Sequence, residues 1–330
     1  MRFFIYIIST FLLAGLFAQV QAEQPRVFEF NYEVLPADLP LGKAVDIYVP
    51  LPAEHADQLV LAQSLGSFGA SITGTKGIET RYNNGYYRIS RTADSDAPIS
   101  AKLSWTISRN TVRSGNETAL SDSEKSQFLA SNSLVPVGHD ILKPILKEIH
   151  SLRADDSPAA TARAIYDWVV DNVEYKKVGS GWGNGDTFWA CSERYGNCTD
   201  FHALFIALAR SEGIPARFEI GFPVPLSRQS GVIGGYHCWV QFYLPEQGWI
   251  PIDASEAAKN PDKRELFYGT HPADRIHFST GRDLVLSEAS KEDPLNYFIY
   301  PYVEVDGKPW QGKLNTQFSY REVLAPEHAN

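Results

Sequence analysis

The sequence predicts an α+β protein: an N-terminal antiparallel β-sandwich followed by a core in which one apolar helix packs on an antiparallel sheet. Three observations predict it. Apolar and polar residues alternate with period two in the first third of the chain. Helical spacing of apolar residues dominates the middle. Short strand-like runs separated by glycine turns follow.

Phe28, Phe30, Tyr32 and Val34 alternate with Glu29, Asn31 and Glu33, as in a half-buried strand. Ala101, Leu103, Trp105 and Ile107 repeat the pattern. Ala44–Val49 and Tyr86–Ser90 read as strands between them, and Asn84-Gly85 as a hairpin turn, because both residues tolerate positive φ. Residues 23–125 therefore read as a β-sandwich domain without a catalytic constellation. The polar stretch Ser114–Ser126 reads as a linker into a second domain over residues 126–290.

In that domain Ile141, Leu142, Ile145, Leu146 and Ile149 have helical spacing. Ser157-Pro158 is a cap followed by proline at the first helical position, and Ala162, Ile165, Trp168 and Val169 mark the buried stripe of the next helix. The glycine-rich run 179–186 lacks the Gly-Lys-Ser/Thr of a phosphate loop and reads as a mobile surface loop near the site. Phe201, Leu204, Phe205 and Leu208 then fall on one helix face, closed by Gly213. Three strands follow, at Phe218–Phe222, His237–Tyr243 and Gly248–Asp253, the last ended by Asp253 and leading into a polar loop. Residues 291–330 read as a hairpin extension packed on the core, turning at Asp306-Gly307.

Composition narrows the function. The 330 residues carry a formal net charge of −9, which argues against nucleic acid and anionic membranes as partners. Arg2, the apolar run Phe3–Ala18, and Val20 and Ala22 ahead of a cleavage site read as a secretory signal over residues 1–22. Export to the periplasm or medium of a bacterium is the expectation, with no stable membrane insertion after cleavage. Arg2 is the only charged residue of that segment, so its removal takes the net charge from −9 to −10.

The chemistry concentrates around three residues. Cys198 follows Gly196-Asn197 at the start of the apolar helix, where the helix dipole stabilises a thiolate and backbone N–H groups can face a developing oxyanion. Strand alternation puts His237 with Trp239, Gln241 and Tyr243, and Cys238 with Val240 and Phe242 on the other face. A hairpin would bring His237 beside Asp253. A thiol, an imidazole base and a carboxylate that orients it form the pattern of a catalytic triad. Trp182, Trp189 and Trp239 are candidates for the cleft wall or an oxyanion donor.

Gly-x-Cys, a helix running to Gly213-Ile214-Pro215-Ala216-Arg217, His237-x-Trp239 and Gly248-Trp249 before Asp253 resemble the transglutaminase-like superfamily, in its bacterial exported branch. These blocks cover roughly a fifth of the chain, and three ordered blocks are more specific than one motif. The resemblance implies a papain-like core and cysteine acyl transfer on amide bonds: cross-linking, deamidation or proteolysis. The substrate expected is a protein or peptide, cell-wall peptide included. The alternatives are a non-catalytic peptide-binding module or a small-molecule amidase or acyltransferase on the same fold. No cofactor and no metal is expected: the chain has neither an EF-hand loop nor CxxC pairs, and Cys191, Cys198, His202 and Cys238 match no usual zinc spacing. Export permits a Cys191–Cys238 disulfide, which would leave Cys198 free; a Cys191–Cys198 bridge would instead act as a redox latch.

Overall fold

The structure is a computed structural model that describes residues 24–66, 74–93, 99–115 and 119–323; the expected signal segment, 1–22, lies outside the described residues. The chain is mixed α and β, with three larger sheets that are all antiparallel.

The first alternating segment forms the strand Arg26–Pro36, with Phe28, Phe30, Tyr32 and Val34 buried. It lies mid-sheet, in the order Ser230–Ile233, Leu314–Glu322, Arg26–Pro36, Ala101–Arg109, Gln58–Gly66. A second five-stranded sheet runs Lys308–Pro309, Tyr302–Val305, Ala44–Pro50, Asn84–Thr92, Thr75–Glu79. Segments from beyond residue 290 thus supply strands to both sheets. Asp306 and Gly307, at φ 49° and 70°, make the expected turn between two of them.

The expected turn at Asn84-Gly85 falls earlier. The chain reverses over Thr80–Asn83, with Asn83 at φ 61°, and Asn84 opens the next strand. Asn84 is held in place by its buried side chain, which donates to Glu79 and to the Thr280 carbonyl. The expected linker also ends early: Ser121 and Glu124 form a capping box that starts a helix at Asp122–Leu129.

The second region begins with helices Lys143–Leu152 and Pro158–Asn172, the latter capped by Ser157. Its centre is the helix Cys198–Ser211, buried on nearly every residue. Each large apolar side chain fully buried there, such as Phe201, Leu204 and Phe205, contributes about 1.5–3 kcal/mol. The helix packs on a four-stranded sheet ordered Gly248–Ile252, His237–Leu244, Ala216–Pro223, Arg275–Thr280. Phe205 meets Phe242 across this interface, with ring centroids 5.9 Å apart. Phe30 and Tyr32 of the N-terminal sheet meet Phe222 of the central sheet at 5.2 and 6.0 Å. One apolar core therefore runs from the N-terminal sheets to the helix.

Two loops differ from expectation. Asp253 is followed by the helix Ala254–Lys259, not a polar loop, because its carboxylate caps the Glu256 N–H. The glycine-rich run is pinned. Asp200 accepts from Gly183 N (2.7 Å) and Gly185 N (3.0 Å), and Arg282 donates to the carbonyls of Gly185 and Asn184. Among the described residues, no helix is long and apolar enough to cross a membrane.

Candidate active site

Cys198 is the first residue of its helix. Asn197 is the N-cap and accepts from Thr199 N at 2.9 Å, while Asp200 accepts from Asn197 N at 2.9 Å. Gly196 is required beside them: a Cβ there would stand 2.2 Å from Asp200 Oδ2. This double cap fixes the thiol against the sheet, where it is 2% exposed.

His237 opens its strand, at the end of the sheet nearest the helix start. Its Nε2 lies 2.7 Å from Asp253 Oδ2, and Cys198 acts on the same ring. Asp253 is fully buried and saturated with partners. Oδ2 also accepts from Arg275 Nη1 at 2.9 Å; Oδ1 accepts from Ser255 Oγ and Glu256 N, both at 3.0 Å. Arg275 in turn lies over the Trp239 ring, 5.0 Å from its centroid.

The electrostatics couple the three groups. Burial pushes the Cys198 thiol up, but hydrogen bonds from Cys238 and His237 and the nearby imidazole charge hold it well below its ordinary value. Burial pulls His237 down, yet the Asp253 charge and the Cys198 contact push it up to about 10. Burial likewise raises Asp253, and His237, His202 and Arg275 together hold it well below the usual carboxylate range. All three directions favour a thiolate and an imidazolium beside a buried carboxylate.

A cleft of about 350 Å³ opens over Cys198, lined among others by Tyr175, Trp182, Asn197, Tyr236 and Tyr300. Trp182 is thus a wall residue, and its Nε1 donates to Gly179 O at 3.1 Å. Trp189 is turned to Tyr195, whose carbonyl takes its N–H at 3.0 Å. Trp239 is fully buried and donates to Glu219 at 2.7 Å, so its N–H does not face the cleft. A larger cavity, about 610 Å³, lies over Arg217, Glu219 and Gln241 and has no cysteine in its lining. It is set apart from the thiol, which lines the smaller cleft.

The three cysteines are free thiols, so the Cys191–Cys238 and Cys191–Cys198 bridges are absent. Among the described residues, no cluster of His, Cys, Asp and Glu is arranged to hold a metal. Four partners of the site were not read from the sequence. Arg275 lies 22 residues beyond Asp253 on a separate strand. Cys238 sits 3.4 Å from His202 and acts on the charge of Cys198. His202 sits one turn along the nucleophile's helix, where spacing gives only a core position. Asp200 did carry a signal, as the third residue after an asparagine cap.

The family model of the transglutaminase-like superfamily matches residues 147–254, which contain Cys198, His237 and Asp253. An uncharacterized protein of Haemophilus influenzae is 30% identical over 204 residues, 52% of this chain and 55% of that one. YebA, an uncharacterized protein of Bacillus subtilis, is 32% identical over 77 residues, 21% of this chain and 10% of that one. The matched stretch therefore spans about half of the first relative and a tenth of the second. A solved structure from Cytophaga hutchinsonii, provisionally assigned as a cysteine protease, covers 93% of each chain with a TM-score of 0.61 and 18% identity, a likeness of fold.

Proposed function

From the transglutaminase-like core over residues 147–254, we propose that the chain is a cysteine acyltransferase or hydrolase acting on amide bonds of a protein or peptide. The observation that supports this most directly is the grouping of Cys198, His237 and Asp253, with the imidazole 2.7 Å from the carboxylate and raised by both the carboxylate and the thiol.

In this reading the Cys198 thiolate attacks the amide carbonyl carbon, and a carbon–sulfur bond forms. The oxyanion is met by the backbone N–H of Cys198, at the positive end of the helix. The His237 imidazolium gives its proton to the departing nitrogen as the carbon–nitrogen bond breaks, leaving a thioester. An amine or water then attacks the thioester, His237 takes its proton, and the carbon–sulfur bond breaks. Asp253 keeps the imidazole oriented and favours its charged form. The open aromatic cleft suits an extended peptide more than an enclosed small molecule. The leader-like residues 1–22 support a site of action outside the cytoplasm.

The test is the pH dependence of iodoacetamide labelling at Cys198, followed by peptide mass in wild type and His237→Ala. Labelling that persists well below pH 8 in the wild type and is lost in the variant supports the reading, and justifies assaying glutaminyl peptides for ammonia release and amine incorporation. An ordinary thiol profile, the same in both proteins, would sink it.

A further inference from the structure

Asp253 faces two imidazoles, and each imidazole faces a cysteine. On one side His237 joins Oδ2 of Asp253, at 2.7 Å, to Cys198. On the other, His202 places Nε2 3.5 Å from Asp253 Oδ1 and Nδ1 3.4 Å from Cys238 Sγ. His202 lies one turn beyond Cys198 on the same helix, so its contact sets Cys238 beside the helix start, and each thiol acts on the other. Cys198 lines the cleft, whereas Cys238 is fully buried behind it. His202 and Cys238 act on the charges of Asp253 and Cys198, but neither takes a bond-making or proton-transfer step in the acyl-transfer reading.

We propose that Cys198 and Cys238 form a reversible two-thiol redox site whose reactant is a peroxide entering the cleft. The Cys198 thiolate attacks the peroxide O–O bond, which breaks. Sulfur is oxidised by two electrons to a sulfenic acid, and the departing oxygen takes a proton to leave as water or an alcohol. Cys238 then attacks the Cys198 sulfur. A sulfur–sulfur bond forms, the sulfur–oxygen bond breaks, and the hydroxyl leaves as water with the Cys238 proton, which His202 Nδ1 is placed to relay. A dithiol reductant returns two electrons and two protons. With Cys238 set beside the helix start through His202, closure to a bond of about 2.05 Å is proposed to proceed by rotation of the two side chains. Burial pushes the Cys238 thiol well above its ordinary value and keeps it protonated until Cys198 has been oxidised. Cys191 stands apart, pushed up to about 11 by burial. The disulfide takes Cys198 out of acyl transfer and protects it from irreversible oxidation. This inference rests on the reading of Cys198 as an activated thiolate.

Each cysteine falls on its own tryptic peptide, since cleavage after Lys177, Arg194, Arg210, Arg228 and Lys259 separates all three. The purified full chain is exposed to a few equivalents of hydrogen peroxide, alkylated and mapped without reductant. The expected product is a linked peptide joining Tyr195–Arg210 to Gln229–Lys259, with Cys198 labelling reduced more than ~10-fold and restored by dithiothreitol. In Cys238→Ser the same treatment should convert Cys198 to sulfinic acid that dithiothreitol does not reverse. Sulfinic acid at Cys198 in the wild type without the linked peptide, or linkage through Cys191, overturns the proposal. The wild-type map decides this even where the variant folds poorly. Labelling below pH 8 before peroxide separates the two readings: an activated Cys198 that never links to Cys238 leaves the triad standing alone. A linked pair with ordinary thiol reactivity does the reverse.

Discussion

Arg275 donates through Nη1 to Oδ2 of Asp253 at 2.9 Å, the same oxygen that faces His237. Both side chains are almost wholly buried. Removing one partner of such a pair strands the other in a low dielectric. Arg275→Gln is therefore expected to cost about 3–5 kcal/mol of stability, measured by equilibrium urea unfolding. Arg275→Lys keeps the charge but loses the flat guanidinium over Trp239, and should fall between the two. A glutamine variant as stable as the wild type contradicts the arrangement.

Asp253 has two duties that one substitution separates. As the N-cap of Ala254–Lys259 it accepts from Glu256 N, and asparagine caps equally well. As a charge it pushes His237 up to about 10. Asp253→Asn should thus keep the cap but leave the buried Arg275 charge unpaired, at a cost of about 3–5 kcal/mol of stability, while His237 drops, so the thiolate–imidazolium pair collapses to neutral thiol and imidazole. Cys198 labelling at pH 6 should fall by at least about tenfold, and any acyl-transfer activity by up to ~10⁴. Far-ultraviolet circular dichroism checks the fold.

Acid should unfold the protein through its neutral histidines. His55 and His271 are both pulled down to about 3, in each case mainly by burial. In the unfolded chain such groups take up protons near pH 6.5. Between pH 6.5 and about 3 the unfolded chain holds more protons, so stability is full above 6.5 and drops as pH falls through the window. The slope is at most about 1.4 kcal/mol per pH unit for each group. His271→Gln, at a position whose Nε2 lies 3.0 Å from the Ile252 carbonyl, should remove one group's share of that slope. Urea unfolding at several pH values reads it directly, and an unchanged slope refutes the assignment.

Gly196→Ala tests how the thiol is held. The added Cβ would stand 2.2 Å from Asp200 Oδ2, so Asp200 must move away from Asn197, Gly183 and Gly185. A lost cap costs about 1 kcal/mol, and the freed N–H groups add to it. Hydrogen exchange of residues 179–186 should speed up, and the labelling profile of Cys198 should move towards that of an ordinary thiol. Unchanged exchange in that loop would mean Asp200 does not pin it.

The site was legible where chemistry is encoded by local pattern. Cys198 at a glycine-preceded helix start, His237 opening an alternating strand and Asp253 closing another are read from spacing alone, and the structure brings them together. The strand Arg26–Pro36 is similarly transparent, because a half-buried strand writes its two faces into the sequence. Cys238 was harder. Alternation gives its face, opposite His237, but not that the helix carrying Cys198 covers that face, so the thiol contact is a tertiary fact. His202 hides in the apolar face of a helix buried almost all round, where periodicity carries no contrast. Arg275 and Asp253 are paired by sheet order, and no local signal ties them.

The strand Leu314–Glu322 lies between Arg26–Pro36 and Ser230–Ile233, and Ser230–Ile233 leads through Gly234 and Gly235 into His237. Chains are made from the amino terminus, so the first described strand waits for the last before its sheet closes. A copy released early or clipped before residue 314 keeps an open edge at Arg26–Pro36 and leaves the approach to His237 without a neighbour. Truncated translation products are then born with an exposed strand edge and an unbraced strand ahead of His237.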